Sequence, residues 1–380
     1  GLFMKNETNT LNSNSIKEDI TKELDDNLIG AYIQEGEEYV KTDTVPTSGY
    51  EFNAEESYCT INNERDDNIA LSFDMTTQNL TVTPLTTKGT KCYLYFDEKL
   101  SAGDTILASA NPPTGQTTDW TNNGQGVTYY YTGANPNNWV QFGEFWWRII
   151  RINGDGSIRM IYQGTSANTT GTGTQIGTSA FNSSYNRSYY VGLVHDGSSQ
   201  HGYGQPSTIM TTLNNWYNSN LASYEEDYID TGAGFCSDRN LQSGSWSASG
   251  SHNYAAYGRL YNKGSESASL QCSDVDILSQ DNGRLPNPIG LVTADEAALA
   301  GVTWNNPKSS YLNTGQDYWT MSPYDSYSGA RVFYVNSDGS LRNGSVDWTV
   351  PGVRPVINLK SAIAISGSGT TSDPFKVVGA

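Results

Sequence analysis

The sequence predicts a mostly β fold with an α+β head: an N-terminal helix, a small β-sandwich spacer and a larger C-terminal domain. Short runs in which apolar and polar residues alternate indicate strands, and 38 glycines among many serines, threonines and asparagines indicate the loops between them. Hydrophobic residues make up only 36% of the chain, but 25 tyrosines, 10 phenylalanines and 9 tryptophans can build a core. A length of 380 residues exceeds one typical domain of ~100–200 residues, which favours at least two domains.

The charge balance limits the class of partner. Lysine and arginine number 22 against 40 acidic residues, for a formal net charge of −18. Nucleic-acid binding requires clustered cations, so we expect no nucleic-acid partner. The acidic, lysine-poor and hydroxyl-rich composition is typical of many extracellular bacterial proteins. Because the chain has no run of ~18 apolar residues, we expect membrane attachment only through an anchor upstream of residue 1.

Residues 1–28 are predicted to form a polar lead that ends in a helix. Ile16, Ile20 and Leu24 follow one another at intervals of four residues and so share one helix face. Two interpretations remain open for this segment. It is either a stalk helix that leads from an anchor or a frayed amphipathic terminus.

Residues 29–99 are predicted to form the β-sandwich spacer. Cys92, Leu94 and Phe96 alternate with more polar neighbours, which is the two-residue period of a half-buried strand. Several further short runs in this segment have the same character. No residue pattern in the spacer indicates a catalytic or binding site.

The four cysteines are Cys59, Cys92, Cys236 and Cys272, which allow three pairings. None belongs to a C-x-x-C pair, so zinc binding is not indicated. Each consecutive pair flanks one module, and we therefore predict two disulfides, Cys59–Cys92 and Cys236–Cys272, each stabilising by ~3–4 kcal/mol. The alternative is four reduced thiols in a cytosolic protein. Disulfides would place the protein in an oxidising, extracellular compartment.

Residues 100–380 are predicted to form the C-terminal domain, beginning with a strong hairpin. Residues 145–152 and 158–162 are apolar runs on either side of a glycine-rich turn at 153–156. Residues 165–184 consist mostly of small polar residues and are predicted to be a surface loop.

Two helices are predicted in this domain. Ser207 precedes a helix with Ile209, Leu213 and Trp216 on one side. Thr293-Ala-Asp-Glu296 is a capping box that begins a short helix. Capping and the helix dipole are expected to account for Asp295 and Glu296 better than catalysis does.

Neither metal nor cofactor binding is expected. No histidine has a second ligand three or four residues away, as a helical metal site requires; the histidines are His195, His201 and His252. Three neighbouring carboxylates could surround calcium, but their spacing fits no complete calcium loop, which favours a solvated acidic loop; they are Asp274, Asp276 and Asp281.

Four sequence blocks carry a family resemblance, at residues 235–239, 289–301, 318–323 and 352–359. Through them, residues 101–372 resemble the C-terminal domains of a large family of bacterial surface proteins. The fold of those domains is similar to the C-type lectin fold seen in variable proteins of diversity-generating retroelements and in formylglycine-generating-enzyme-like domains. The resemblance implies a C-type-lectin-like domain over residues 100–380.

The resemblance also implies roles for residues. Trp319 and Arg354 would belong to the framework, and an arginine between Val353 and Pro355 is expected to be buried and paired. The binding site would be one that a retroelement diversifies. Formylglycine-generating enzymes act through cysteines in the C-terminal part of the fold, whereas the last cysteine here is Cys272. That activity is therefore expected to be absent.

The function expected from this resemblance is ligand binding outside the cell, by an adhesin or receptor-like protein anchored at the cell surface. The partner would be a protein or glycan on another cell or on a phage. Large side chains with polar ends, typical of binding hot spots, are expected to project from one face around the strand at 332–335. The candidates are Tyr324, Asp325, Tyr327, Arg331, Tyr334, Arg342, Asn343, Asp347 and Trp348.

Two other classes of function stay open. The first is an enzyme that acts on a surface polymer, with Glu144, Asp295 or Glu296 as acid and base. Two of these carboxylates in one cleft would support it, whereas carboxylates scattered at caps and turns would not. The second is a structural surface or pilus subunit.

Overall fold

The structure is a computed structural model that describes residues 29–47, 49–84 and 90–380. These residues are mostly β and fall into two compact units that divide between Leu100 and Ser101, beside the boundary that the sequence predicts. The predicted lead and stalk helix of residues 1–28 lie outside the described residues. No helix in the described part of the chain is long and apolar enough to cross a membrane.

The first unit is built from short strands in two layers. Five strands form a sheet in the order β2-β1-β7-β3-β4, and the β5–β6 hairpin forms the second layer. Phe73 of β5 packs edge-on against Phe96 of β7, with ring centroids 5.4 Å apart. The strands are β1 (Ile29–Glu35), β2 (Glu38–Thr42), β3 (Tyr50–Ile61), β4 (Glu64–Arg65), β5 (Ala70–Asp74), β6 (Asn79–Thr83) and β7 (Thr90–Glu98).

The predicted disulfide Cys59–Cys92 is present in this unit. Cys59 lies directly opposite Cys92 on the paired strands β3 and β7, and both cysteines are fully buried. The alternation of Cys92, Leu94 and Phe96 places all three in the core between the two layers. The two-residue period therefore predicts the buried face of β7 correctly.

Tyrosines cover the other face of the same sheet. Tyr32 and Tyr95 on neighbouring strands stack with centroids 4.8 Å apart, and Tyr58 stacks on Tyr93 at 5.0 Å. The first distance matches the spacing of adjacent strands, so the rings stand side by side across the sheet. Arg65 extends the row, with its guanidinium 4.8 Å from the centre of the Tyr58 ring. Such cross-strand pairs stabilise the sheet.

The second unit contains a mixed sheet, a further curved sheet and five α-helices within its described residues. Its strands are β8 (Gly115–Thr118), β9 (Val127–Tyr130), β10 (Trp139–Phe142), β11 (Phe145–Ile152), β12 (Ile158–Gly164), β13 (Gly177–Thr178), β14 (Val194–His195), β15 (Gln205–Pro206), β16 (Phe235–Cys236), β17 (Ile277–Leu278), β18 (Tyr318–Asp325), β19 (Arg331–Val335), β20 (Leu341–Ser345), β21 (Gly352–Val353), β22 (Val356–Leu359), β23 (Ile365–Ser366) and β24 (Phe375–Val377). Its helices are α1 (Ala102–Leu107), α2 (Thr208–Asn220), α3 (Glu225–Tyr228), α4 (Ala255–Leu260) and α5 (Ala294–Leu299).

Two sheets organise this unit around one core. The larger has the order β22-β12-β11-β10-β24-β23, with β9 and β8 added beside β11. The smaller has the order β13-β21-β18-β19-β20. Strand β22 follows β21 after only two residues, so residues 352–359 contribute to both sheets. A single cluster of buried apolar side chains fills the space between the sheets and helices.

Local sequence signals account for several of these elements. The predicted hairpin is formed by β11 and β12. The hydroxyl of Ser207 accepts a hydrogen bond from the N–H of Met210, which caps α2 as predicted. Thr293 and Glu296 form the predicted capping box at the start of α5. In each case the signal lies within a few residues, where no distant contact competes with it.

Residues 165–184 are not a simple surface loop. Gly177 and Thr178 form β13, which pairs with β21. Phe181 is fully buried and packs edge-on against Trp319, with ring centroids 5.9 Å apart. A polar composition does not reveal such a contact, because the single aromatic side chain finds its partner about 140 residues later in the chain.

The second predicted disulfide, Cys236–Cys272, is also present. It joins β16 to a segment that precedes β17, across 36 residues. With both pairs oxidised, no described cysteine is free. Two disulfides indicate an extracellular or secreted protein, because cytosolic thiols are kept reduced.

Buried ion pairs fasten the helices to the large sheet. The Glu296 carboxylate on α5 accepts hydrogen bonds from Arg151 (3.0 Å) on β11 and from Arg159 (2.6 Å) on β12. Arg151 also donates to Asp119 at 3.1 Å, and all four side chains are almost completely buried. Burial by itself would raise the pKa of Glu296, but the two arginines outweigh it and lower that pKa to about 2.

Candidate functional site

The hairpin of β19 and β20 has two opposite faces, because side chains alternate along each strand. On one face, Phe333 packs edge-on against Tyr324, with ring centroids 5.0 Å apart. On the other face, Tyr334 packs against Trp319 at 6.1 Å and Trp348 at 6.0 Å. The nine predicted residues are therefore divided between two faces. The expectation that all nine project from one face is wrong.

Three of the nine candidates are also buried, contrary to the expectation of an exposed site: Tyr324 (5% exposed), Asp325 (3%) and Tyr334 (8%). Each is in contact with a larger or longer side chain: Trp304 stacks on Tyr324, Arg331 donates to Asp325, and Trp348 packs against Tyr334. The other candidates reach the surface. Tyr327 (60% exposed) and Trp348 (47%) do so most, and the half-buried ones are Arg331, Arg342, Asn343 and Asp347.

One face of the hairpin carries a cluster of aromatic side chains from three separate segments. Helix α4 and its C-cap contribute two rings, the loop between α5 and β18 contributes one, and β18 with the turn after it contributes two. We call this cluster the aromatic patch and define it as Tyr257, Tyr261, Trp304 and Tyr324, which are joined by ring contacts, together with the exposed Tyr327 on the turn after β18 and the ion pair of Asp325 and Arg331 at its edge.

Helix α4 presents two rings of the patch in a fixed arrangement. Tyr257 and Tyr261 are four residues apart and stack with centroids 4.8 Å apart and planes 10° from parallel. Between them, Arg259 points the other way and donates to both carboxylate oxygens of Asp295 at 2.8 Å. Arg259 also donates to the buried Asp238. These bonds hold α4 against α5 and so fix the position of both tyrosines.

Trp304 completes the wall of the patch. Its ring stacks on Tyr324 and meets Tyr261 edge-on, with centroids 5.4 Å and 5.0 Å apart. The backbone around Trp304 is fixed to β20, because the N–H of Leu341 donates to Thr303 and the N–H of Asn305 donates to Leu341. The tryptophan is half-buried, which leaves part of its indole accessible.

The two charged side chains at the edge of the patch differ in burial. Arg331 donates to both oxygens of Asp325, whose side chain is 4% exposed whereas that of Arg331 is 29% exposed. The guanidinium also lies 5.3 Å from the centre of the Tyr324 ring. The Asp325 carboxylate is therefore buried, whereas the Arg331 guanidinium is partly exposed to solvent. Burial, followed by the nearby Asp325, raises the pKa of Tyr324, so its phenol stays protonated at neutral pH.

The opposite face of the hairpin carries Trp348 and Arg342. Trp348 lies over Gly344, where a Cβ atom would stand 3.0 Å from Trp348 and 3.3 Å from Trp319. Glycine at this position therefore allows the exposed indole to lie close to the sheet. Arg342 donates to Asp338 at 3.0 Å on the same face, so its charge is partly neutralised.

The predicted framework residues are buried. Trp319 is fully buried, and its indole N–H donates to the backbone of Ser179 at 2.8 Å. Arg354 is also buried, donates to Tyr162 and Gln163, and lies 4.7 Å from the centre of the Tyr318 ring. The expected burial of this arginine is confirmed, but its hydrogen-bond partners are neutral, and it forms no ion pair with any of the described residues.

The carboxylates named for catalysis do not share a cleft. Glu296 is bound by Arg151 and Arg159, and Asp295 by Arg259. Glu144 lies at the β10–β11 turn beside a shallow cleft of about 300 Å³, and no other acidic side chain lines that cleft among the described residues. The capping explanation of Asp295 and Glu296 was incomplete, because both also form ion pairs over a long sequence distance.

The histidines have separate surroundings. His195 is buried, and burial, together with Arg239, lowers its pKa to about 4. His201 forms a 2.7 Å contact through Nδ1 with the fully buried Asp276. His252 accepts a hydrogen bond from the N–H of Ser247. None of the three contacts another histidine among the described residues.

The three aspartates considered for calcium do not converge. Asp276 is buried and accepts hydrogen bonds from the backbone N–H of Arg239 and from Ser237, whereas Asp274 and Asp281 are exposed. Within residues 29–47, 49–84 and 90–380, no group of three or more histidine, cysteine or acidic side chains is arranged to hold a metal ion.

Sequence reasoning missed Tyr257, Tyr261 and Trp304. The two tyrosines had a usable signal, because a four-residue interval between aromatic residues indicates one face of a helix. Trp304 had none, because it stands alone in a loop and meets the patch only through the fold.

No protein family matches this chain, and neither a curated protein nor a solved structure was found to match it.

Proposed function

We propose that the second unit binds a ligand outside the cell and that the aromatic patch is its contact surface. The observation that carries this proposal is the composition of the patch: four tyrosines, one tryptophan and one arginine on neighbouring segments. Tyrosine, tryptophan and arginine dominate binding hot spots, because they offer large contact areas with polar ends and lose little conformational entropy. The patch also has a rigid support, since α4 and the Trp304 segment are held by backbone and ion-pair contacts.

The ligand in this proposal is a protein or a glycan on another cell or on a phage. The finer parts of the proposal are a C-type-lectin-like fold, kinship with retroelement-diversified variable proteins and an anchor at the cell surface. The sequence blocks described above support them, and two of those blocks form the buried strands β18 and β22. A half-exposed position such as Asn343, which lies opposite Phe333 on the patch side of the hairpin, would tolerate diversification, because its side chain does not fill the core.

An enzyme acting on a surface polymer is less well supported. Such an enzyme needs two carboxylates beside one substrate, and Asp295 and Glu296 are instead bound by arginines. A structural subunit is the other alternative. Binding of a ligand through the patch would distinguish a ligand-binding protein from a structural subunit. A purely structural role would not require the exposed Tyr327, which makes no contact in the core.

The test uses the wild-type second unit with its disulfide intact. Peptide ligands are selected from a random-peptide phage library, and glycan ligands are identified on a glycan array. Recovered ligands are then measured against a Tyr261→Ala/Tyr327→Ala variant. The matched control is Trp348→Ala, which removes an exposed aromatic side chain on the opposite face of the hairpin, outside the patch. We expect loss of binding only in the double variant. A selection in which every recovered ligand binds the double variant as well as the wild type would contradict the proposal.

A further inference from the structure

A second concave site lies in the same unit and shares no residue with the aromatic patch. It is a groove of about 470 Å³ between the β14–β15 hairpin, the exposed side of α2 and the loop before Ile289. Val194 and Leu285 are buried and form part of its floor. This volume lies within the range of sites for small organic ligands.

The groove contains one aromatic ring that is held in place. Tyr203 is 47% exposed, and the guanidinium of Arg284 lies 5.1 Å from the centre of its ring. Arg284 is itself anchored, because one of its nitrogens donates to the carbonyls of Asp274, Val275 and Ile277. The arginine thus supports one side of the ring, and the phenol and the remaining ring surface are left for a ligand.

Apart from Arg284, the polar side chains that line the groove are neutral. Asn214 and Asn215 lie side by side on α2, and the oxygen of Asn214 accepts a hydrogen bond from Asn287 at 3.1 Å. This contact orients the amide of Asn214 and leaves its NH₂ group to donate. Asn215 is exposed and offers a second amide, with both a donor and an acceptor.

These features exclude several ligand classes. The described residues that line the groove include no carboxylate, so a cation finds no partner there. An anion would meet only Arg284, which already serves three carbonyls, and would approach a chain of net charge −18. A purely apolar ligand would leave the amides of Asn214 and Asn215 without hydrogen-bond partners. The ligand that remains is neutral and carries many hydroxyl or amide groups.

A bound peptide strand is disfavoured by the groove itself. Strand β15 consists of Gln205 and Pro206, and proline has no N–H to pair with an added strand. A sugar has no such requirement. A pyranose ring has an apolar C–H face that packs on a tyrosine ring, and its hydroxyls pair with side-chain amides.

We propose that this groove binds a neutral oligosaccharide of hexopyranose units, with a sugar ring against Tyr203 and its hydroxyls on Asn214 and Asn215. This inference is independent of the aromatic patch, because the two sites share no side chain. Pro206 and Pro286 restrict the backbone on both sides of the groove, so the site is largely formed before binding.

The experiment is saturation-transfer NMR and titration calorimetry on the full chain with cellobiose, maltose, lactose and N,N′-diacetylchitobiose. We expect at least one disaccharide to bind, and we expect Tyr203→Ala and Asn215→Ala each to weaken it by about tenfold or more. The Tyr261→Ala/Tyr327→Ala variant should bind the sugar as the wild type does. Because Asn215 is exposed, its variant keeps the test valid if Tyr203→Ala lowers the melting temperature.

Three results would overturn the proposal. The first is that none of the four disaccharides binds at about 10 mM, which is above the dissociation constant of a useful shallow site. The second is sugar binding that is lost in Tyr261→Ala/Tyr327→Ala and kept in Tyr203→Ala, because the sugar would then occupy the aromatic patch. The third is displacement of the bound sugar by a proline-rich peptide that itself binds more tightly, which would assign the groove to peptides.

Discussion

Trp304 stacks on Tyr324, with ring centroids 5.4 Å apart and ring planes 11° from parallel. The two residues come from different segments, and the contact converts a half-exposed loop tryptophan and a buried strand tyrosine into one surface. Tyr324 is thus a support of the aromatic patch more than a part of its outer surface. This relationship separates the residues that hold the patch from those that can meet a ligand.

Truncation at buried and exposed aromatic positions should have different effects on stability. Trp319→Ala removes a fully buried indole and is expected to destabilise by ~3–5 kcal/mol. Tyr327→Ala removes a side chain that is 60% exposed and should change stability by less than ~0.5 kcal/mol. Urea denaturation measures both. A large loss of stability in Tyr327→Ala would show that this tyrosine supports the fold.

The same reasoning limits the choice of variants for tests of binding. A triple variant of Tyr324, Tyr327 and Trp348 would not leave the fold intact, because Tyr324 is buried and contacts four other rings. Variants that test binding should therefore keep Tyr324.

Removing Glu296 should expose the two arginines that it neutralises. Glu296→Gln leaves Arg151 and Arg159 buried without a full countercharge, and we expect a loss of ~3–5 kcal/mol at pH 7. Its pKa of about 2 in the folded state lies below the ordinary value of 4.5, so its contribution is present above pH 4.5 and is lost as the pH falls toward 2.

The measurement is the free energy of unfolding between pH 7 and pH 2.5. The difference between wild type and Glu296→Gln should shrink as the pH falls through this range. Glu144→Gln is the matched control, because Glu144 is exposed at a turn, and it should follow the wild type. A difference that stays constant with pH would mean that Glu296 acts through packing alone.

The tyrosine row of the first unit should titrate at high pH. Burial, followed by Tyr58 and Tyr32, raises the pKa of Tyr95 from 10.0 to about 12. An acid whose pKa rises on folding favours the folded state at low pH, so the first unit should lose stability as the pH rises between 10 and 12. Absorbance at 295 nm should show a component near pH 12 that is smaller by one tyrosine in Tyr95→Phe, because burial raises the pKa of Tyr254 in the second unit to about 12 as well. If denatured protein keeps that component, the folded environment is not its cause.

Each disulfide should stabilise its own unit. Replacing Cys236 and Cys272 by serine should lower the stability of the second unit by ~3–4 kcal/mol and leave the first unit unchanged. The Cys59→Ser/Cys92→Ser variant should lower the stability of the first unit and leave the second unit unchanged. Differential scanning calorimetry should show a separate unfolding transition for each unit, with each variant shifting only one of them. If both variants shift a single shared transition, the two units do not unfold independently.

Local signals in the sequence predicted much of the fold. The β11–β12 hairpin, the Ser207 cap, the Thr293 capping box and the two disulfides depend on residues within one element or module. Their positions follow from turn chemistry, capping and spacing. The buried ion pairs did not follow, because Glu296 is 137 residues from Arg159 and no short pattern relates them.

The candidate site was predicted only in part. The segment 323–348 was correctly identified as rich in large polar side chains. However, side chains alternate along β19, so Phe333 and Tyr334 lie on opposite faces. Strand β18 also has an irregular register where it pairs with β19, between Trp319 and Asp325. The rings from α4 and from Trp304 arrive through tertiary contacts. Propensity identifies the strands, but it does not determine which distant segments cover them.

We expect ligand binding to depend on the aromatic patch and not on the opposite face of the hairpin. The most direct measurement is the dissociation constant of one selected ligand for three proteins: the wild type, Tyr261→Ala/Tyr327→Ala and Trp348→Ala. We predict that the double variant binds at least about a hundredfold more weakly, as loss of two hot-spot residues implies, and that Trp348→Ala binds like the wild type. Loss of affinity in Trp348→Ala with full affinity in the double variant would contradict the account and assign binding to the other face.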